Sequence, residues 1–173
     1  MKSLAIIIPA YKEIYLRDTL DSLVNQTSKS FVVYIGDDHS PAELKSIVDE
    51  YTGLLPIVYK RFDDNIGGKS LVAQWKRCLE MTDAEYIWLF SDDDILPSDA
   101  VERFWNFEES YRGQFDICRL PLELIDRKGN PLLQLENYPN HMSSEDYLKK
   151  RLSCEILSSA SEYIFTRENY KKH

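Results

Sequence analysis

Acidic residues gather at three places in the first hundred residues, each directly after an apolar, strand-like run. Asp37-Asp38 follows "FVVYI", Asp63-Asp64-Asn65 follows "PIVYKRF", and Asp92-Asp93-Asp94 follows "EYIWLF". A fourth run, "LAIII", leads into Pro9-Ala10-Tyr11-Lys12-Glu13. Adjacent carboxylates repel one another, by about 1 kcal/mol per pair at 4 Å even in bulk water. A divalent cation removes that penalty. Mg²⁺ and Mn²⁺ prefer oxygen ligands, and Mg²⁺ commonly binds one or two carboxylates together with substrate phosphates. Clustered aspartates at strand ends therefore suit a metal–diphosphate site. The plainer reading of the triplet is a solvated acidic loop before a helix, favoured by the helix dipole. Asp92-x-Asp94 also approaches the D-x-D-x-[TV] pattern of aspartyl-nucleophile phosphatases, with Leu96 where Thr or Val is expected.

The elements that must position these residues alternate. Strands are expected over 4–8, 31–35, 56–62 and 85–90. Helical spacing joins Leu16, Leu20, Leu23 and Val24, and again Leu71, Trp75, Cys78 and Leu79. Pro41 is a suitable first helical residue for "PAELKSIVDEY", and Ser98 or Asp99 can cap a helix carrying Val101, Phe104 and Trp105. Strands alternating with helices imply right-handed βαβ units and a largely parallel sheet. In such a sheet, ligands bind beyond the carboxyl ends of the strands, which brings all four polar segments to one edge. After residue 119 the rhythm changes. "LPLELID" and "PLLQLEN" read as a hairpin around Gly129, a helix begins at Ser143 or Ser144, and "SEYIFT" is a last strand. The expected architecture is α/β: a mostly parallel central sheet flanked by helices, with a smaller mixed or antiparallel C-terminal portion.

Composition bounds the function. The 173 residues are 43% hydrophobic and 29% charged, with a net charge of −8. That charge argues against nucleic acid as the main partner, but not against a phosphorylated small ligand. No run approaches the ~18 apolar residues of a membrane span, and the N-terminal apolar run is broken at Pro9, unlike a signal peptide. Cys78, Cys118 and Cys154 show no metal-ligand spacing and read as reduced, packed thiols of a cytoplasmic protein.

The ordered segments "IIIPAYKE", "YIGDDHS", "DDNIGGKSLVAQW" and "EYIWLFSDDDILPSDAV" resemble the inverting nucleotide-sugar glycosyltransferases of family two, which have the GT-A fold. The resemblance runs from about Leu4 to Val101 and weakens beyond. It implies one GT-A domain over 1–173, with a nucleotide-sugar half at 1–100 and part of an acceptor half at 101–173. By resemblance, Pro9, Ala10, Tyr11 and Glu13 line the uracil and ribose pocket, with Lys12 standing where the family has Asn. Asp38 is implied to accept from the uracil imide, Asp37 to support its turn, and His39 to be a loop residue where the family often has Gly.

Asn65, Gly67 and Gly68 match the family's N-x-G turn, where glycine permits positive φ and close backbone approach; Lys69 is placed to meet a phosphate. Asp92 and Asp94 match the ends of the D-x-D motif, the first meeting ribose and the last the metal. Asp92 and Asp94 are accordingly the implied metal ligands, and Asp93 contacts the sugar or completes the metal's ligands.

The implied reaction moves a sugar from a nucleoside-diphosphate donor, favouring uridine, to a glycan or lipid-linked acceptor, with Mn²⁺ or Mg²⁺ as cofactor. The catalytic base is expected beyond His173, since the family's base follows a stretch like "SEYIFTRENY". The whole protein is expected in the cytoplasm or at the inner face of a membrane. Asp116, Glu123, Asp126 and Glu162 are the other carboxylates considered, with Glu162 expected at the surface. A non-catalytic nucleotide-sugar-binding fragment is the other class considered. A nucleotidyltransferase is disfavoured because "PAYKE" lacks the Gly-rich, Arg-containing loop of that class.

Overall fold

The computed structural model describes residues 2–112, 114–134, 139, 141–156 and 158–172. Its six-stranded sheet has the order β3-β2-β1-β4-β8-β5. Strands β1 (Leu4–Ala10), β2 (Val32–Asp37), β3 (Ile57–Arg61) and β4 (Tyr86–Leu89) are parallel. Helices α1 (Leu16–Val24), α2 (Leu44–Asp49) and α3 (Leu71–Leu79) connect them, and α4 (Ala100–Tyr111) follows β4. Next come β5 (Ile117–Arg119), β6 (Glu123–Ile125), β7 (Pro131–Gln134), α5 (Ser144–Leu152), β8 (Tyr163–Thr166) and α6 (Arg167–Lys172). β8 is antiparallel to both β4 and β5, and β6 and β7 form the expected hairpin, with Gly129 at φ 80° in its turn. The rest of the "PLLQLEN" run, 135–137, lies outside the described residues.

The continuous apolar runs are explained by burial on both faces of the sheet. Side chains alternate along β1: Leu4, Ile6, Ile8 and Ala10 pack on one face, Ala5 and Ile7 on the other. β4 divides likewise, with Tyr86 and Trp88 opposite in sense to Ile87 and Leu89. The first face is covered from α1 by Leu16, Leu20 and Leu23, from α2 by Leu44 and Val48, and from α4 by Val101 and Phe104. The second takes Cys78 and Leu79 of α3.

Several local expectations are corrected. α2 starts at Leu44 rather than Pro41, because the preceding turn is held by other bonds. Asp37 Oδ1 accepts from Ser40 N at 2.7 Å, and Ser40 Oγ accepts from Ala42 N at 3.1 Å. Asp99 is the N-cap residue of α4 but makes no side-chain capping bond. Leu71, although on the helical stripe, is exposed. Strand β5, unforeseen in the sequence, is the sheet's edge strand beside β8. Cys78 and Cys118 are buried as expected, whereas Cys154 is exposed.

The chain runs outward from β1 through β2 to β3, then crosses to β4 on the other side of β1. The sheet therefore changes direction between β1 and β4, where an open α/β sheet leaves a crevice at its carboxyl edge.

Candidate active site

A cleft of about 550 Å³ occupies that edge. From the end of β1 it is lined by Pro9, Ala10, Tyr11 and Lys12, and from the end of β2 by Asp38. The turn after β3 contributes Asn65, Gly67 and Gly68; the end of β4 contributes Ser91, Asp92 and Asp93. Thus most of the residues singled out in the sequence share one wall. Glu13, Lys69 and Asp94 do not line it, and Glu13 and Lys69 are exposed beside it.

The two aspartates after β2 play different parts. Asp37 is fully buried, and its Oδ2 accepts from Tyr59 Oη at 2.5 Å and Arg61 Nη1 at 2.8 Å. It holds the turn and lies off the cleft. Asp38 is 3% exposed. Its Oδ1 accepts from Ile66 N at 3.0 Å and from Arg77 Nη2, and its Oδ2 accepts from Gly67 N at 2.8 Å. Oδ2 therefore has one protein donor and can accept another.

The N-x-G glycines are required for close approach and not for positive φ, which neither adopts. A Cβ on Gly67 would lie 2.4 Å from Asp38 Oδ2. His39 does take a left-handed conformation, φ 55°, which accounts physically for glycine suiting that position.

Each carboxylate of the triplet has one oxygen engaged. Asp92 Oδ2 accepts from Tyr11 N at 2.8 Å and Lys12 N at 3.1 Å, bridging the gap between β1 and β4. Asp93 Oδ1 accepts from Ser91 Oγ at 2.6 Å, and Asp94 Oδ2 from Ser161 Oγ. Burial pushes Asp92 up from its ordinary value; the Tyr11 and Lys12 amides pull it back, and Asp93 adds to the rise. Burial raises Asp94 as well, against the Ser161 hydroxyl and together with Asp93.

Among the described residues, no group of three or more His, Cys, Asp or Glu side chains is arranged to hold an ion by itself. Each aspartate of the triplet nevertheless keeps one oxygen without a protein donor among the described residues, and oxygen is the donor type that a hard cation takes.

The raised Asp94 has a consequence for stability. A carboxyl whose folded value is raised stabilises the fold when protonated, and that contribution is lost as pH rises through the raised value. Asp94→Asn, which can still accept from Ser161, should therefore be more stable than wild type at pH 7. The gap should close as pH falls through the raised value toward 3.8. Thermal melts of both proteins along a pH series check this, and a gap that widens on acidification would contradict it.

Sequence reasoning missed the rest of the lining. Ser159, Ala160 and Ser161 line the cleft from the 3₁₀ turn before β8, and Leu71, Gln74 and Trp75 line it from α3. The Ser159-x-x-Glu162 capping-box spacing was the available signal for the first group. Ser161 is locked by Trp88 Nε1, which donates to its carbonyl at 2.7 Å, and by Ser91 N, which donates to its Oγ at 3.0 Å.

Glu162 is 1% exposed, correcting the surface expectation, because it pairs with Arg119 at 2.7 Å. None of Asp116, Glu123, Asp126 and Glu162 lines the cleft. Asp116 accepts from Asn169, and Asp126 from the amides of its own turn.

A crevice at the switch point of a mostly parallel sheet, faced with aspartates and backbone amides, defines a ligand-binding α/β domain. The family model for glycosyl transferase family 2 matches residues 5–164, and the chain belongs to that family. It is 32% identical over 128 residues to the poly(ribitol-phosphate) beta-N-acetylglucosaminyltransferase TarP of Staphylococcus aureus, a match covering 71% of this chain and 38% of TarP. The minor teichoic acid biosynthesis protein GgaB of Bacillus subtilis is 25% identical over 154 residues, covering 80% of this chain and 17% of GgaB. The chain thus spans less than half the length of either relative. The structure of S. aureus TarS 1-349 in complex with UDP-GlcNAc superposes with a TM-score of 0.75 at 20% identity, over 96% of this chain and 45% of that one. The fold is that of TarS, a GT-A α/β domain with a mostly parallel sheet and added antiparallel strands.

Proposed function

We propose that this chain is the donor-binding domain of a metal-dependent, inverting glycosyltransferase. It would take a sugar from a uridine-diphosphate donor and pass it to a hydroxyl of a polysaccharide or lipid-linked glycan. The observation that carries this reading is the cleft itself, which is lined together by Tyr11, Asp38, Asn65, Gly67, Gly68, Asp92 and Asp93. The names of the relatives, a poly(ribitol-phosphate) beta-N-acetylglucosaminyltransferase and a minor teichoic acid biosynthesis protein, support the same class.

Tyr11, 43% exposed, offers a face on which a base can stack. Asp38 Oδ2 has acceptor capacity for an imide N–H, which favours uracil over cytosine. The Asn65–Gly68 turn, whose Ile66, Gly67 and Gly68 amides are held by Asp38 and Asn65, fixes Asp38 at the edge of the cleft. Asp92, Asp93 and Asp94 would hold Mn²⁺ or Mg²⁺, whose chemistry there is Lewis-acid neutralisation of the leaving diphosphate. Residues 1–100 serve the donor, and 101–173 contribute part of the acceptor side. A nucleotide-sugar donor puts the domain in the cytoplasm or at the inner face of a membrane; no helix among the described residues is long and apolar enough to cross one. None of the four carboxylates considered after the triplet lines the cleft, so none of them is assigned as the general base. That also keeps in view a donor-binding role without catalysis by this chain alone, which a sugar-transfer assay separates.

Calorimetric titration with UDP, with and without Mn²⁺, tests the reading. Wild type should bind more tightly with the ion, and Asp94→Asn should lose that gain. A folded wild-type protein that binds no UDP in either condition would overturn it.

A further inference from the structure

Lys12 is the one cationic side chain that lines the cleft among the described residues, which otherwise offer Asp38, Asp92 and Asp93 as charged groups there. The Asp38 charge is already met by Arg77. The guanidinium of Arg77 is occupied by Asp38, Asp64 and Gln74, so it has no fork left to turn toward a ligand. Lys69, the lysine expected to meet a phosphate, lies outside the lining.

Among the described residues the Lys12 ammonium makes no ion pair or hydrogen bond, while its main-chain N–H is fixed by Asp92 Oδ2 at 3.1 Å. The stem is thus anchored at the triplet, and its ammonium acts on Asp92 through space, favouring that carboxylate's charged form, without pairing with it. The other charged residues that line the cleft, Asp38, Asp92 and Asp93, are all negative, and a diphosphate entering it brings more negative charge.

We propose that Lys12 binds the diphosphate of the donor, so that part of the positive charge the leaving group requires comes from the protein and not from a metal ion. This rests on the donor-binding reading above. A lysine suits this role because it is a mobile point charge with three donors, able to meet phosphate oxygens without a fixed geometry. An asparagine at this position would carry no charge, so the residue here sets how much of the diphosphate's charge is left for a divalent ion to meet.

The test compares wild type, Lys12→Gln, Lys12→Asn and Lys12→Arg by calorimetry with UDP and with uridine, each with and without Mn²⁺. Metal-free UDP affinity should fall about tenfold in the Gln and Asn variants and recover in the Arg variant, as expected for one charge-assisted contact. Uridine, which has no phosphate, should bind all four proteins alike, and the fold-gain on adding Mn²⁺ should be larger without the lysine. Lys12 is exposed, so melting temperatures should not move.

UDP affinity unchanged in Lys12→Gln, while wild type binds UDP, would overturn the assignment and leave the donor reading intact. Equal losses for UDP and uridine would overturn it too, since the lysine would then act on the nucleoside or the loop. Wild type that takes neither UDP nor uridine would remove the donor reading and this inference with it.

Discussion

Replacing Arg77 by alanine should lower the free energy of unfolding by about 3 kcal/mol and abolish high-affinity nucleotide binding. Arg77 is 18% exposed and pairs with Asp38, whose side chain is 5% exposed. Its Nη1 donates to Asp64 Oδ1 and its Nη2 to the Asp64 carbonyl, both at 2.8 Å, and its guanidinium lies 3.9 Å from the centre of the Phe62 ring. One side chain therefore neutralises a buried carboxylate and ties the turn after β3 to α3. Removing one partner of a buried pair strands the other charge, which costs about 3–5 kcal/mol. Asp38 keeps the Ile66 and Gly67 amides, which places the loss toward the lower end.

Arg77→Lys should recover part of the stability but less of the UDP affinity, because an ammonium cannot span Asp38 and Asp64 as the fork does. Urea unfolding and calorimetry on the two variants measure both effects. An unchanged unfolding midpoint in Arg77→Ala would mean that the clamp is dispensable.

The second large effect is expected at Glu162. Its side chain is fully buried; Oε2 accepts from Arg119 Nε at 2.7 Å, and Oε1 accepts from Ser159 N at 3.1 Å. Glu162→Ala removes a partner of a mostly buried guanidinium and breaks the capping box, at a cost of about 3 kcal/mol. Because the same turn presents Ser161 to Asp94, the loss should also be felt in the triplet, with more Mn²⁺ needed to saturate UDP binding. Glu162→Gln, which can still accept from Ser159 N, should fall between wild type and alanine. Melting curves and Mn²⁺ titrations at fixed UDP provide the readouts. A Glu162→Ala protein with wild-type Mn²⁺ demand would show that the turn and the triplet are uncoupled.

Much of the first half of the fold was legible because its signals are local. Each parallel strand is a short apolar run, and β1 alone carries the pattern for both faces of the sheet. The donor wall was legible for a related reason: parallel strands end at one edge, so residues that follow them gather without knowledge of strand order. Glycine roles were read less well. Gly67 and Gly68 fit positive φ or close approach equally in sequence, and the position of Asp38 Oδ2 decides for approach.

What the amino-acid sequence determined by itself was the alternation of strands and helices, the gathering of strand-end aspartates, and the family those segments resemble. Hydrophobic period and local turn chemistry carry that information over a few residues at a time. Tertiary structure alone decided the rest of the cleft lining and the ion pairs that support it. Glu162 reads as a solvated glutamate until β8 pairs between β4 and β5 and brings it to Arg119, 43 residues away in the chain. Arg77 reads as one more charged residue near a helix end until α3 packs on the sheet and turns it onto Asp38 and Phe62. Burial and ion pairing depend on neighbours distant in sequence, and here those neighbours are supplied by two antiparallel strand pairings and one helix–sheet contact.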